Sequence, residues 1–326
     1  MKKRKIIASV TTILFNVCVI LVGILLLVNL EPVIYSDFFS NSEESISIYG
    51  LETKYVPQGL TYVEDKNVFL CSGYMNGNVS SSRIYVISED DSNSKFVEVK
   101  NEDGSDFLGH VGGIATHLNK AYLACDNDEY NKIFELNLDE ILNCEDGGSV
   151  KVTNSYKLDV NPAFIYVYGD NFFVGEFYKA GSYETNPNHH LTTPSKEVNH
   201  SLCYSYKASE TGVDFTQVNY VLSIPDLVQG FTLTPNGKFV VSKSWAIASS
   251  TLGIYDKVLS NESTYENHKL YYLCSKTLSK EVRMPPMSEE LTYYKGMVLV
   301  NFESAGCKYK NVNLYRQTKI LGYKIA

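Results

Sequence analysis

One motif returns five times along this chain and constrains its fold more than any other feature. The first copy is Pro57-Gln58-Gly59-Leu60-Thr61-Tyr62, and the second is Val111-Gly112-Gly113-Ile114-Ala115. Pro162-Ala163-Phe164-Ile165-Tyr166, Val228-Gln229-Gly230-Phe231-Thr232-Leu233 and Ser288-Glu289-Glu290-Leu291-Thr292-Tyr293 complete the series. After a short polar turn each copy is followed by a second apolar run: Val68–Cys71, Ala121–Ala124, Phe172–Val174, Phe239–Val241 and Met297–Val300. Strand, tight turn and strand, repeated about every 50 to 65 residues, predict an all-β chain folded as a five-bladed β-propeller. A sixth blade would require a decayed motif in 139–160 or 207–225.

Further strands are expected at Arg83–Ile87, Lys132–Leu136, Leu202–Tyr206 and Leu270–Cys274, one following each of the first four pairs. Asn236-Gly237 predicts a hairpin turn in the fourth repeat. An N-terminal strand over Ser45–Gly50 would complete the last blade and close the ring. Two long connections, Lys179–Asn199 and Ala246–Lys269, leave second strands, so both are expected as lids over one channel mouth.

Ahead of the repeats, residues 6–30 form an apolar run free of charge, long enough to cross a bilayer. Lys2, Lys3, Arg4 and Lys5 precede it, and Glu31, Asp37, Glu43 and Glu44 follow. The positive-inside rule then assigns residues 1–5 to a cytoplasmic tail and 6–30 to a transmembrane signal anchor. Residues 31–44 become a stalk and 45–326 an extracytoplasmic propeller. A cleaved signal peptide is the alternative; the run is long for one, and no clear cleavage site follows. Four of the 29 basic residues lie in the tail, leaving 25 against 37 acidic ones outside, a net of −12. That balance argues against nucleic acid as a partner. Seven cysteines, one of them in the apolar run, permit disulfides in an oxidising compartment, but no CxxC spacing suggests zinc.

Inner strands of a propeller face its channel, so equivalent positions converge. One column holds Gln58, Gly112, Ala163, Gln229 and Glu289. A second, at the ends of the second strands, holds Gly73, Asp126, Phe177 with Glu176 beside it, Lys243 and Glu303. With His110 and Glu290 these make an unusually charged set. Glu176, Glu290 and Glu303 are the candidate acid–base carboxylates. Gln58, His110, Asp126, Gln229, Lys243 and Glu289 are the candidate ligand contacts. Such oxygens would also suit Ca²⁺, the one cofactor the pattern suggests. Otherwise they simply line a wet channel. His189, His190 and His200 match no standard metal spacing and are expected as solvated loop residues. The single tryptophan, Trp245, follows the second strand of the fourth repeat and fits a core, a lid or a stacking platform. No G-x-S-x-G elbow supports a serine hydrolase.

The series from Pro57-Gln58-Gly59-Leu60, through Gly109-His110-Val111-Gly112-Gly113 and Val174-Gly175-Glu176-Phe177-Tyr178, to Pro285-Pro286-Met287-Ser288-Glu289-Glu290-Leu291 and Phe302-Glu303-Ser304-Ala305 resembles a family of bacterial secreted or membrane-anchored propellers without assigned activity. A fainter likeness, through Gln58-Gly59-Leu60 and Glu290-Leu291, is to five-bladed glutaminyl-peptide cyclotransferases. Val111-Gly112-Gly113 and Glu289 depart from that pattern. The likeness implies proton transfer by Glu290. Three functions follow as expectations. The first is binding of a small-molecule, peptide or glycan ligand at the channel mouth. The others are acyl transfer or hydrolysis by the channel carboxylates, and service as a scaffold in a cell-envelope complex.

Overall fold

A computed structural model describes residues 2–127 and 130–325, without the side chains of 2–11, 25, 28, 29, 126, 127, 130 and 131. The repeats fold into five sheets, each with an antiparallel four-stranded core, and blades 1 and 3 add a parallel outer strand. Blade 1 comprises Tyr55–Val63, Val68–Met75, Arg83–Ser88 and Ser94–Lys100, and blade 2 His110–His117, Lys120–Asn127, Tyr130–Asn137 and Asn154–Lys157. Blade 3 is built from Phe164–Tyr168, Asn171–Gly175, Ser201–Ser209 and Gly212–Ile224. Blade 4 contains Val228–Leu233, Phe239–Lys243, Ser250–Tyr255 and Leu278–Met284. Blade 5 takes Ser288–Tyr294, Met297–Phe302 and Lys319–Lys324, and its fourth strand, Ser42–Ser47, comes from the other end of the chain. Ser42 pairs with Tyr323 and Glu44 with Leu321, so the ring closes by strand addition. The first strands of neighbouring blades touch in the cyclic order 1-2-3-4-5-1, which establishes the five-bladed propeller.

The repeated glycine has a steric cause. A Cβ on Gly59 would come within 2.7 Å of Ile114 N in blade 2, and one on Gly113 within 2.8 Å of Ile165 N in blade 3. On Gly230 it would lie 2.5 Å from Glu289 O in blade 5. Backbone therefore packs on backbone at these three contacts. The inner strands of blades 1, 2, 4 and 5 also shift register at the motif. Such a bulge twists a strand and releases its amides from the ladder.

Between the blades lie apolar seams. Phe164 and Phe173 of blade 3 pack on Phe231 of blade 4, with ring centroids 6.0 and 4.9 Å apart. All three are fully buried, each contributing about 1.5–3 kcal/mol of burial. Cysteines serve in this packing too. Cys71 and Cys203 are buried thiols, burial pushes Cys71 up to about 12, and no disulfide forms among the described residues.

Several expectations are corrected. Leu270–Cys274 does not supply the third strand of blade 4; Ser250–Tyr255 does. His268–Tyr272 crosses over and joins the outer edge of blade 3 beside Val221–Ser223. Only the start of the Ala246–Lys269 connection is therefore a loop near the mouth. Segments 139–160 and 207–225 hold a helix and edge strands of existing blades, not a sixth one. Residues 31–44 are not a free stalk. They form short helices, Glu31–Ile34 and Ser36–Ser40, followed by the start of the closing strand. Phe38 stacks on Tyr323 at 5.9 Å, and Tyr35 is buried beside Tyr315. The apolar pair inside that polar stretch docks it to the last blade.

A helix covers Lys2–Asn29. Among the described residues no helix is long and apolar enough to cross a membrane. The side chains of the basic tail, and those of 6–11 at the start of the expected anchor, lie outside the described residues.

Candidate functional site

The column of Gln58, Gly112, Ala163, Gln229 and Glu289 forms one ring of a cavity at the channel mouth, about 480 Å³ in volume. One residue comes from each blade, because each occupies the same place in its inner strand. The next column seals the axis. There Glu290 is fully buried and does not line the cavity. Its carboxyl fills the space that glycine leaves at position 113 and accepts hydrogen bonds from Phe231 N at 3.3 Å and Ile165 N at 3.5 Å. Burial raises its pKa well above the usual range, although the Phe231, Ile165 and Leu291 amides oppose this. Glu290 ties blades 3, 4 and 5 together, and its place in the fold gives it no route to a ligand in the cavity.

Glu289 and Glu303 meet at the cavity wall. Glu289 sits in the bulged inner strand of blade 5 and Glu303 just past the second strand of the same blade, so one hairpin supplies both. Gln58 Nε2 donates to Glu303 Oε2 at 2.8 Å and to Pro57 O at 2.7 Å, and the Gln58 main-chain carbonyl accepts from buried Asn301 at 3.0 Å. The two glutamates interact directly, each shifting the other. Burial first, then the charge of Glu303, raise Glu289 well above the usual carboxyl range. Burial lifts Glu303 to about 7, held back by Gln58, the Lys308 charge and Glu289. Burial and mutual proximity therefore favour a proton held by the pair. Two like charges this close do not both ionise readily.

Around the rim, Lys308 Nζ donates to Tyr74 OH at 3.0 Å. Burial works against its charge, but Tyr309 and Glu303 outweigh burial and raise its pKa. The His110 ring faces Tyr74 at 4.9 Å from an exposed place on the rim, where desolvation by its neighbours and then the Lys308 charge lower its pKa. The opposite wall is aromatic. Phe177 and Trp245 stack at 6.1 Å and 26°, and Tyr183 meets both edge-on.

Other expected site residues go elsewhere. Asp126 pairs in register with His110, and its side chain lies outside the described residues. Lys243 turns along its blade to Glu281 at 2.6 Å and does not line the cavity. Replacing it with alanine should change the unfolding free energy by less than about 1 kcal/mol, checked by urea denaturation. Glu176 turns away from the cavity while its neighbour Phe177 turns in. Its carboxylate accepts from Leu202 N at 3.1 Å and faces His189 Nδ1 at 2.9 Å. His189 is thus buried, not a solvated loop residue, and pins the loop that carries Tyr183. His200 pairs likewise with Asp226 at 2.9 Å. No group of three or more His, Cys, Asp or Glu is placed to hold a metal among the described residues.

Lys308, Tyr309, Tyr74, Tyr183 and Asn161 also reach the cavity but were not singled out from the sequence. Lys308 and Tyr309 sit in a turn that Gly306 opens by donating to the Glu303 carbonyl at 2.8 Å. Their signal was position, since the loops after the second strands border the mouth, as Trp245 already suggested.

Solved structures similar to this chain include glutaminyl cyclase from Myxococcus xanthus, at 6% identity and a TM-score of 0.44, covering 86% of this chain and 93% of that one. The PQQ-bound aldose sugar dehydrogenase from Streptomyces coelicolor is 11% identical, with a TM-score of 0.44 and coverage of 80% and 76%. BamB from Moraxella catarrhalis is 8% identical, with a TM-score of 0.34 and coverage of 87% and 98%. Each is a β-propeller, and neighbours this distant bear on neither the site nor its chemistry. No protein-family model and no curated protein matches the chain.

Proposed function

We propose that this propeller binds a small polar ligand, or one end of an extended one, in its mouth cavity. The observation that carries the reading is the Glu289–Glu303 pair, the first buried and the second half-buried, at a cavity of about 480 Å³ and braced by Gln58. Proteins place few polar groups in ligand pockets, and those few fix orientation. Trp245 is the only tryptophan in the chain and lines the cavity, so its fluorescence reports occupancy. Titrated with a chemically mixed panel of small neutral, cationic and anionic compounds, the protein should give a saturable change with at least one class. Glu303→Gln should weaken that binding about tenfold. A silent Trp245 across the panel, or an indifferent Glu303→Gln, would sink the reading.

A second reading makes the pair catalytic. Glu303, at about 7, is poised where a general acid or base works best near neutral pH. Glutaminyl peptides are the first substrates to try, given the resemblance through Gln58-Gly59-Leu60. Glu289 and Glu303 would move the proton, in place of the sealed Glu290. Turnover lost in Glu303→Gln but kept in Lys243→Ala supports this, whereas equal rates in both exclude it.

Anchoring by residues 6–30 belongs to the same reading. Support comes from apolar side chains that stand exposed along the helix, among them Phe15, Ile20, Leu21 and Leu26. The full chain should fractionate with membranes and lose its propeller to external protease, while 31–326 alone should not sediment. Sedimentation of both or of neither removes the anchor.

A further inference from the structure

We propose that the ligand of the mouth cavity is a neutral carbohydrate, its apolar ring face on the Phe177–Trp245–Tyr183 wall and its hydroxyls on Glu289, Glu303 and Gln58. This rests on the cavity being a ligand site.

Charge disfavours an ionic ligand. Lys308 and Glu303 share the cavity, and each favours the charged form of the other. A charged ligand would bring an uncompensated charge into a partly dry site, which is costly. The aromatic corner is not an empty cage for an ammonium either. Lys179 Nζ already lies 5.6 Å from the Trp245 ring centroid, supplying the cation that such a ring attracts.

Hydrogen-bonding character favours a sugar. Its hydroxyls both donate and accept, and neighbouring ones do so side by side. The glutamate pair offers carboxyl oxygens, and Gln229 and Asn161 add amides at the same cavity. Each amide carries both donors and acceptors. A purely accepting or purely donating ligand would leave half of this set unmatched, and unmatched polar groups cost affinity.

Shape points the same way. The cavity lining mixes aromatic rings with polar side chains, and pyranose rings have an apolar C–H face and a hydroxyl edge. About 480 Å³ accommodates one or two sugar rings.

The test titrates the full chain and follows both Trp245 fluorescence and calorimetric heat. Its probes are methyl glycosides of neutral hexoses and N-acetylhexosamines, with their α1,4- and β1,4-linked disaccharides. Glucosamine, glucuronic acid and benzamide serve as cationic, anionic and planar aromatic counterparts. At least one neutral sugar should bind saturably and about tenfold tighter than its charged counterparts. Glu303→Gln should weaken it about tenfold, and Lys243→Ala should leave it unchanged. Tighter binding of a counterpart, with loss in Glu303→Gln, would overturn the carbohydrate assignment and keep the cavity as a ligand site. Silence from every probe into the millimolar range would overturn both.

Discussion

Changing Glu289 and Glu303 together to glutamine should make the protein more stable at pH 8 and remove much of its dependence on pH. Glu303 titrates at about 7 in the folded chain against an ordinary 4.5, and Glu289 is raised as well. Between those values the folded state holds a proton that the unfolded chain has released. Stability from this source is complete below pH 4.5 and falls as pH rises through 7, the reverse of a salt-bridged carboxylate. Every tenfold gain in proton affinity on folding corresponds to about 1.4 kcal/mol. Glu303 is open in part to cavity water, so the discounted loss between pH 5 and pH 8 is roughly 2 kcal/mol. Glutamine keeps the size and the hydrogen bonds without the titration. Urea unfolding of both proteins at pH 5 and pH 8 checks this. Curves that fall in parallel would mean that the pair does not carry the pH dependence.

The same pair shows how far the sequence reached. Glu289 was placed by counting, because a repeat in a closed ring maps equal positions onto equal places. The whole column beginning at Gln58 therefore reached the cavity together. Counting alone does not suffice where a strand ends. Gly175 closes the second strand of blade 3; the count falls on Phe177 just beyond it, while the charge of the adjoining Glu176 suggests a site role. The chain turns Phe177 in and buries Glu176 against His189, a partner whose distance in sequence conveyed nothing. Lys243, which the count selects, is lost at the last residue of its strand. Alternation likewise points to a strand at Leu270–Cys274, which forms as His268–Tyr272, without saying which sheet it joins, since pairing across blades depends on loop geometry. Phe38 was hidden by polar neighbours, although one buried aromatic ring is enough to dock a short helix.

Gly230→Ala should be a strongly damaging change of one methyl group in this fold. The added Cβ would stand 2.5 Å from Glu289 O, 2.6 Å from Glu290 Cα and 2.8 Å from Leu291 N. All three are main-chain atoms of the next inner strand, so no side chain can swing aside. Blades 4 and 5 must separate, and a closed ring passes that strain to the other seams. Separation also stretches the hydrogen bond from Phe231 N to Glu290, now 3.3 Å. Overpacking a well-filled core costs about 1–3 kcal/mol, and a backbone contact belongs at the upper end, about 3 kcal/mol. Gly237→Ala is the control. Gly237 has φ of +78° and nothing within 4 Å of a Cβ, so only the local strain of a left-handed alanine applies, about 1 kcal/mol. Because the strained seam includes Glu289, Gly230→Ala should also displace one carboxyl of the pair and weaken any ligand response of Trp245. Gly237→Ala, at a hairpin turn, should spare it. Equal losses of stability in the two variants would show that the glycine of the motif serves chain flexibility rather than the close approach of blades.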